Sequence, residues 1–293
     1  MQRSLVGSEM CIRDRYREEF QWPSGKKNAV MISLTLDAEY FGIAQYPEDK
    51  NAVAGFKTMA EFGVKKGLDR VLSVLDHYHV KATVFVPGKV AEEYPDAMKK
   101  IVEHGHEIGV HGYEHENFAL LPEEKQKEAM KKSVEAVKEV CGVTPVGFRA
   151  PEGELTRRTL EIAKEAGIVY SSTLGNDDRP YYNVLNDQGT SILEIPFHWA
   201  LFDAPYFAFH FWPPVPYGQG RISSFKKVLT NWKWEYDVFR EEGLCYVLQL
   251  NPMTIGDPGK IYMLEELLTY IQKDRDVWFA TGKEIYDYCE AVG

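Results

Sequence analysis

The sequence predicts an α/β fold, a single parallel barrel with right-handed crossovers. Three observations predict it. Strand and helix patterns alternate along almost the whole chain from Lys27, no linker divides them, and polar residues recur just after the strands. In such a barrel the C-terminal ends of the strands form the functional rim.

The elements follow in order. Ala29 to Leu36 is a compact apolar run, read as a buried strand. Gly67 to His79 places Leu68, Val71, Leu72, Leu75 and Tyr78 on one helical face. Ala82 to Val86 is a strand rich in β-branched residues, closed by Pro87-Gly88. Pro95 to His104 reads as a helix with Gly105 as its left-handed stop, and Glu107 to Val110 as a short strand. Pro122-Glu-Glu124 opens a helix to about Val140, with acids at the positive end of the dipole. Its lysines alternate with acids, the pattern of a solvated face. Pro145 to Phe148, Ile168 to Ser171, Ser191 to Ile195, Leu244 to Leu250 and Val277 to Ala280 read as strands. Between and after them come a Thr156-capped helix ending at Gly167, helices over Ser223 to Glu242 and Ile261 to Gln272, and a C-terminal helix. Two long segments break the rhythm, Tyr40 to Lys65 and Gly175 to Ile222, and such insertions commonly form lids, pockets or interfaces.

Composition excludes several function classes. The chain has 293 residues, 44% of them hydrophobic, enough for a core without disulfide staples. Its 34 basic against 44 acidic residues give a net charge of −10, which argues against nucleic acid as a partner and against an anionic membrane surface. No apolar run is long enough for a transmembrane helix. The four cysteines, Cys11, Cys141, Cys245 and Cys289, form no C-x-x-C pair and read as reduced thiols of a cytoplasmic protein. The run Ser4 to Arg15 lacks the apolar core of a signal peptide and resembles translated sequencing-adaptor read-through. The expected division is therefore a tail over 1–26 and one barrel domain over 27–293.

The chemistry-bearing residues fall on one rim. Asp37 and Glu39 follow the first strand, His111 and His115 the third, Arg149 the fourth, Asp177 and Asp178 the fifth, His198 the sixth and Asn251 the seventh. The H-x3-H pair puts two imidazoles on one face if its loop forms a helical turn. One added carboxylate makes a two-His-one-carboxylate metal site with open positions.

These motifs resemble the polysaccharide deacetylase family. The resemblance rests on Gly105-His-Glu-Ile-Gly109, His111-x3-His115-Glu-Asn117, Phe148-Arg-Ala-Pro151, Asp177-Asp-Arg-Pro-Tyr181, Glu194-Ile-Pro-x-His-Trp199, Ile255-Gly-Asp-Pro258 and the terminal Thr281-Gly-Lys-Glu284. It implies a single distorted (β/α)7-type barrel, with Asp37, His111 and His115 holding a divalent metal, most often zinc. It further implies hydrolysis of a non-peptide C–N bond, in an N-acetylated sugar or a small cyclic amide or imide. Relatives of this branch often form dimers or tetramers, so a homo-oligomer is expected.

Two positions depart from the family pattern. The branch carries D-x-D-A-E after the first strand, base first and metal ligand second, whereas this chain reads Thr35-Leu-Asp-Ala-Glu39. The shared D-A-E favours Asp37 as ligand with Thr35 at the base position; the shifted register would make Asp37 the base and Glu39 the ligand. Asn251 stands where the family has its acid histidine, and an amide cannot shuttle a proton. Glu39, Glu152 and Glu154 are candidate replacements on the same rim. Glu152 could pair with Arg149, and Arg149 could otherwise hold a substrate anion or a rim acid. Candidate substrate-binding residues are Asp178, Tyr181, His198 and Trp199, although Asp177 and Asp178 also suit a turn and His198 a hydrogen-bonded wall. The opposing reading is a metal-binding pseudoenzyme or binding module on the same barrel, because Thr35 and Asn251 occupy the base and acid positions.

Overall fold

The computed structural model describes residues 20–40, 54–208 and 223–292. The N-terminal run read as adaptor-like lies outside them. One nine-stranded mixed sheet curls into a half-barrel flanked by helices, the distorted (β/α) barrel expected. The strands are β1 (Asn28–Thr35), β2 (Ala82–Val86), β3 (Glu107–Val110), β4 (Gly147–Phe148), β5 (Tyr170–Ser171), β6 (Tyr181–Val184), β7 (Ser191–Glu194), β8 (Cys245–Leu250) and β9 (Val277–Phe279). Their order is β6-β7-β5-β4-β3-β2-β1-β8, with β9 also paired to β1. All pairs are parallel except β6 with β7.

β1 is the axis of the sheet. Its eight residues are all buried, because alternate side chains enter two different cores. Val30, Ile32 and Leu34 join the large cluster beneath the helices, while Ala29 and Met31 join the inner cluster with Phe85, Tyr170 and Val247. A strand buried on both faces reads as a continuous apolar run, which is why β1 and β8 were legible.

β6 was not foreseen. It lies in the insertion read as irregular and forms a hairpin with β7 across a turn where the Asn186 side chain accepts the Gln188 and Thr190 N–H groups. In the other insertion, helix Ala54–Phe62 runs into a π-turn over Gly63–Gly67. Gly67 sits so close to Pro252 that an added Cβ would fall 2.1 Å from its carbonyl oxygen. That contact seats the short helix Pro252–Ile255 at the end of β8.

The segment after β7 reaches the free edge of β8 through a Phe202–Gln249 bridge and a 3.2 Å bond from the Asp203 N–H to the Gln249 carbonyl. The opposite end of the barrel is floored by Glu107. It accepts hydrogen bonds from Tyr170 Oη (2.8 Å), Thr83 Oγ1 (2.7 Å) and the Lys283 N–H (3.0 Å). The helix Glu123–Cys141 shows the expected solvated face, with Lys125, Lys127 and Lys132 paired to acids of the same helix. Surface pairs of this kind contribute little to stability.

Candidate metal centre and active site

The strand ends bring Asp37, His111 and His115 together, each with a ligand atom within 4.8 Å of the others. All three are buried. His111 continues β3 and Asp37 lies two residues beyond β1. The H-x3-H pair does not meet through a helical turn, as the spacing suggested. The loop instead takes left-handed backbone at Gly112 (φ 73) and His115 (φ 61), which folds the second imidazole back to 5.0 Å from the first, edge to face. A residue with a Cβ is uncommon at such φ. Ala38 (φ 47) and Glu152 (φ 57) share this conformation on loops that leave the same strand ends. Strained backbone of this kind collects at functional sites.

The electrostatics suit a cation. Burial pushes the Asp37 carboxyl up to about 7, against the opposing effects of the Thr35 and Asn251 hydrogen bonds and the Arg149 charge. Burial likewise pushes His115 down to about 4 and, with the His115 ring as a second cause, takes His111 well below its usual value. Two neutral imidazoles beside a desolvated carboxyl are the form that binds metal. His111 Nδ1 is bonded to the Arg149 carbonyl (2.7 Å), leaving Nε2 toward Asp37 Oδ1 at 3.5 Å. Asp37 Oδ1 is buried and makes no hydrogen bond. A buried carboxylate with one unbonded oxygen, grouped with two buried imidazoles, fits a divalent metal, and the donor set suits zinc.

Arg149 does not make the pair with Glu152 that the sequence allowed. Its buried guanidinium holds the Ser172 carbonyl (2.6 Å), Ser172 Oγ (2.6 Å) and Ser33 Oγ (2.8 Å), and lies 4.4 Å above the Phe85 ring. It forms no ion pair with Glu152, whose carboxylate faces Asn117 Nδ2 at 3.4 Å instead. Burial lowers Arg149 to about 9. The side chain braces the barrel interior, and its main-chain carbonyl orients a metal-site histidine.

Glu39 accepts a 2.8 Å bond from Tyr94 Oη in the loop beyond Asp37. The Asn251 amide donates to Asp37 Oδ2 at 2.9 Å. Trp199 is half-exposed, its ring edge against Gly153 next to Glu152. Asp178 and His198 are brought together, 2.8 Å apart, but not at the metal site. Phe197 points inward, 5.2 Å from the Arg149 guanidinium, so the next residue of this extended segment points outward, where His198 packs on Phe239. Asp177 caps the turn through the Asp178 and Arg179 N–H groups. The Tyr181 hydroxyl accepts from the Asn176 N–H at 3.4 Å.

Sequence reasoning missed Asp203. Its fully buried carboxylate accepts the Asn251 N–H at 3.0 and 3.1 Å. Only the helix-start pattern Asp203-Ala-Pro205 within the second long insertion marked it.

The sequence profile of the polysaccharide deacetylase family matches residues 24–171. The peptidoglycan deacetylase of Helicobacter pylori is 30% identical over 250 residues, which cover 77% of this chain and 84% of that protein. A crystal structure from Mycobacterium smegmatis, provisionally assigned as a polysaccharide deacetylase, superposes with a TM-score of 0.86 at 33% identity over 93% of each chain. An allantoinase shares the fold, with a TM-score of 0.78 at 22% identity over 92% of each chain. A profile spanning half the chain, a relative at this identity and the matching barrel make the protein a member of the polysaccharide deacetylase family.

Proposed function

We propose that the protein is a metal-dependent hydrolase of a non-peptide C–N bond, acting on an N-acetylated sugar or a small cyclic amide or imide. The observation that carries this reading is the buried Asp37–His111–His115 group with its unbonded Asp37 oxygen. A divalent metal, zinc by the donor set, would supply Lewis acidity to the amide carbonyl and to a water. Asp37, His111 and His115 would hold it. Glu39 and Glu152 are the rim carboxylates available for proton transfer, and Trp199 offers an exposed aromatic face to the substrate. Arg149 acts on the site through the His111 bond rather than by touching substrate.

The barrel over 27–293 is read as one catalytic unit. A cytoplasmic location is supported by Cys141, Cys245 and Cys289, all unpaired. Among the described residues, no helix is long and apolar enough to cross a membrane. Self-association is supported by Trp234 and Val238, exposed one turn apart on the helix Phe225–Glu241.

A specific observation favours a second reading, a metal-binding module without turnover. Thr35 and Asn251, at the family's base and acid positions, both engage the Asp37 carboxylate. The test is amine or acid release from N-acetyl sugars, cyclic imides and ureides by zinc- or cobalt-loaded protein, beside Asp37→Ala. The hydrolase reading expects metal-dependent turnover that Asp37→Ala abolishes. Stoichiometric metal with no turnover across the panel favours the second reading.

A further inference from the structure

The two oxygens of the Asp37 carboxylate are not equivalent. Oδ2 receives the Asn251 amide at 2.9 Å, whereas Oδ1 makes no hydrogen bond and faces His111 Nε2 at 3.5 Å. The Asn251 amide has no freedom to turn over. Its Oδ1 accepts the Met253 N–H at 3.0 Å, so Nδ2 is committed to Asp37. Its main chain is fixed from the other side, where the Asn251 N–H is held by both oxygens of buried Asp203.

We propose that Asn251 is a positioning residue that reserves one oxygen of Asp37 for the metal. This rests on the metal-site reading above. With Oδ2 already bonded by the amide, the carboxylate is presented through its unbonded Oδ1, and rotation to a two-oxygen grip is opposed by loss of that hydrogen bond. The side chain at this strand end therefore transfers no proton; it selects how a ligand is offered. Partners of this kind, one bond removed from the metal, typically contribute about 10–100-fold in affinity.

Asn251 also caps the helix Pro252–Ile255, so the test must separate the two jobs. Asn251→Ser and Asn251→Thr each keep a capping oxygen and are too short to reach Asp37. Zinc and cobalt affinities are read by competition with a chromophoric chelator on folded protein, and the cobalt d–d absorption reports coordination number. Both variants should bind about 10–100-fold more weakly than wild type, with a weaker cobalt band as the carboxylate becomes two-toothed. A residue that served only the helix cap would leave both the melting temperature of the metal-free protein and its metal affinity unchanged in these cap-preserving variants. Wild-type affinity in both variants overturns the proposal while the metal site stands. Failure of the wild type to take up one metal per chain removes the metal-site reading, and the proposal with it.

Discussion

Glu194 shows what a buried acid does to this protein away from the metal site. It is fully buried, accepts the Thr173 and Leu174 N–H groups, and burial pushes it from 4.5 up to about 7. A raised carboxyl favours its neutral form in the folded state. Its stabilising contribution is therefore complete below the unfolded value near 4.5 and is lost as pH rises through 7. Glu194→Gln removes that titration. In denaturant unfolding, the variant should gain on wild type between pH 5 and pH 8 by up to about 3 kcal/mol. Parallel pH profiles for the two proteins would show that the backbone donors hold Glu194 ionised throughout. Single residues also mark what the sequence could show. Asp37, His111 and His115 were recognisable because each stands at a strand end within a family motif. Asp203 was not, because its role is to accept a main-chain N–H from residue 251, which any residue type there would supply. The outward turn of His198 was equally hidden, since it depends on Phe197 packing against Arg149.

Among the elements, β2 and β3 matched their sequence boundaries because short apolar runs ended at proline, glycine or histidine turns. β6 did not, because three of its four residues are half-buried and the fourth, Val184, is exposed, so its direction is set by the hairpin turn rather than by its own pattern. The loop after β3 defeated the helical reading because Gly112 and His115 adopt left-handed backbone. Close approach between elements is clearest at β4. A Cβ on Gly147 would lie 2.2 Å from Tyr170 Oη, and Tyr170 cannot retreat while Glu107 accepts from its hydroxyl and Gly282 abuts its ring. Gly147→Ala should therefore destabilise the fold by about 1–3 kcal/mol, measured by urea unfolding. An unchanged midpoint would mean that β4 and β5 can separate without cost.

At the scale of the whole molecule, the proposed metal centre would couple ion binding to stability. The Asp37 and histidine ligands come from β1 and the loop after β3, so an ion there cross-links distant parts of the chain. Zinc at about 1,000 times its dissociation constant should add about 4 kcal/mol to unfolding, a gain that chelator reverses. The melting temperature of Asp37→Ala should not respond to zinc. A response equal to wild type would move the binding site elsewhere. The family and its barrel were legible because the motifs span the chain. The irregular closure between β7 and β8 was not, since among the described residues it rests on an isolated bridge at Phe202.

That closure orders events during synthesis. β1 emerges early, yet β8 and β9, which pair with it, are made more than two hundred residues later. Asp37 meets its Asn251 amide across a separation of 214 residues. A nascent chain released before β8 has an unsheltered central strand and an unpinned carboxylate, the features that expose a folding chain to association with its neighbours. The hydrogen bond from Asn251 to Asp37 thus forms only after β8 has been made, and a pinned Asp37 carboxylate is a molecular record that translation passed residue 251.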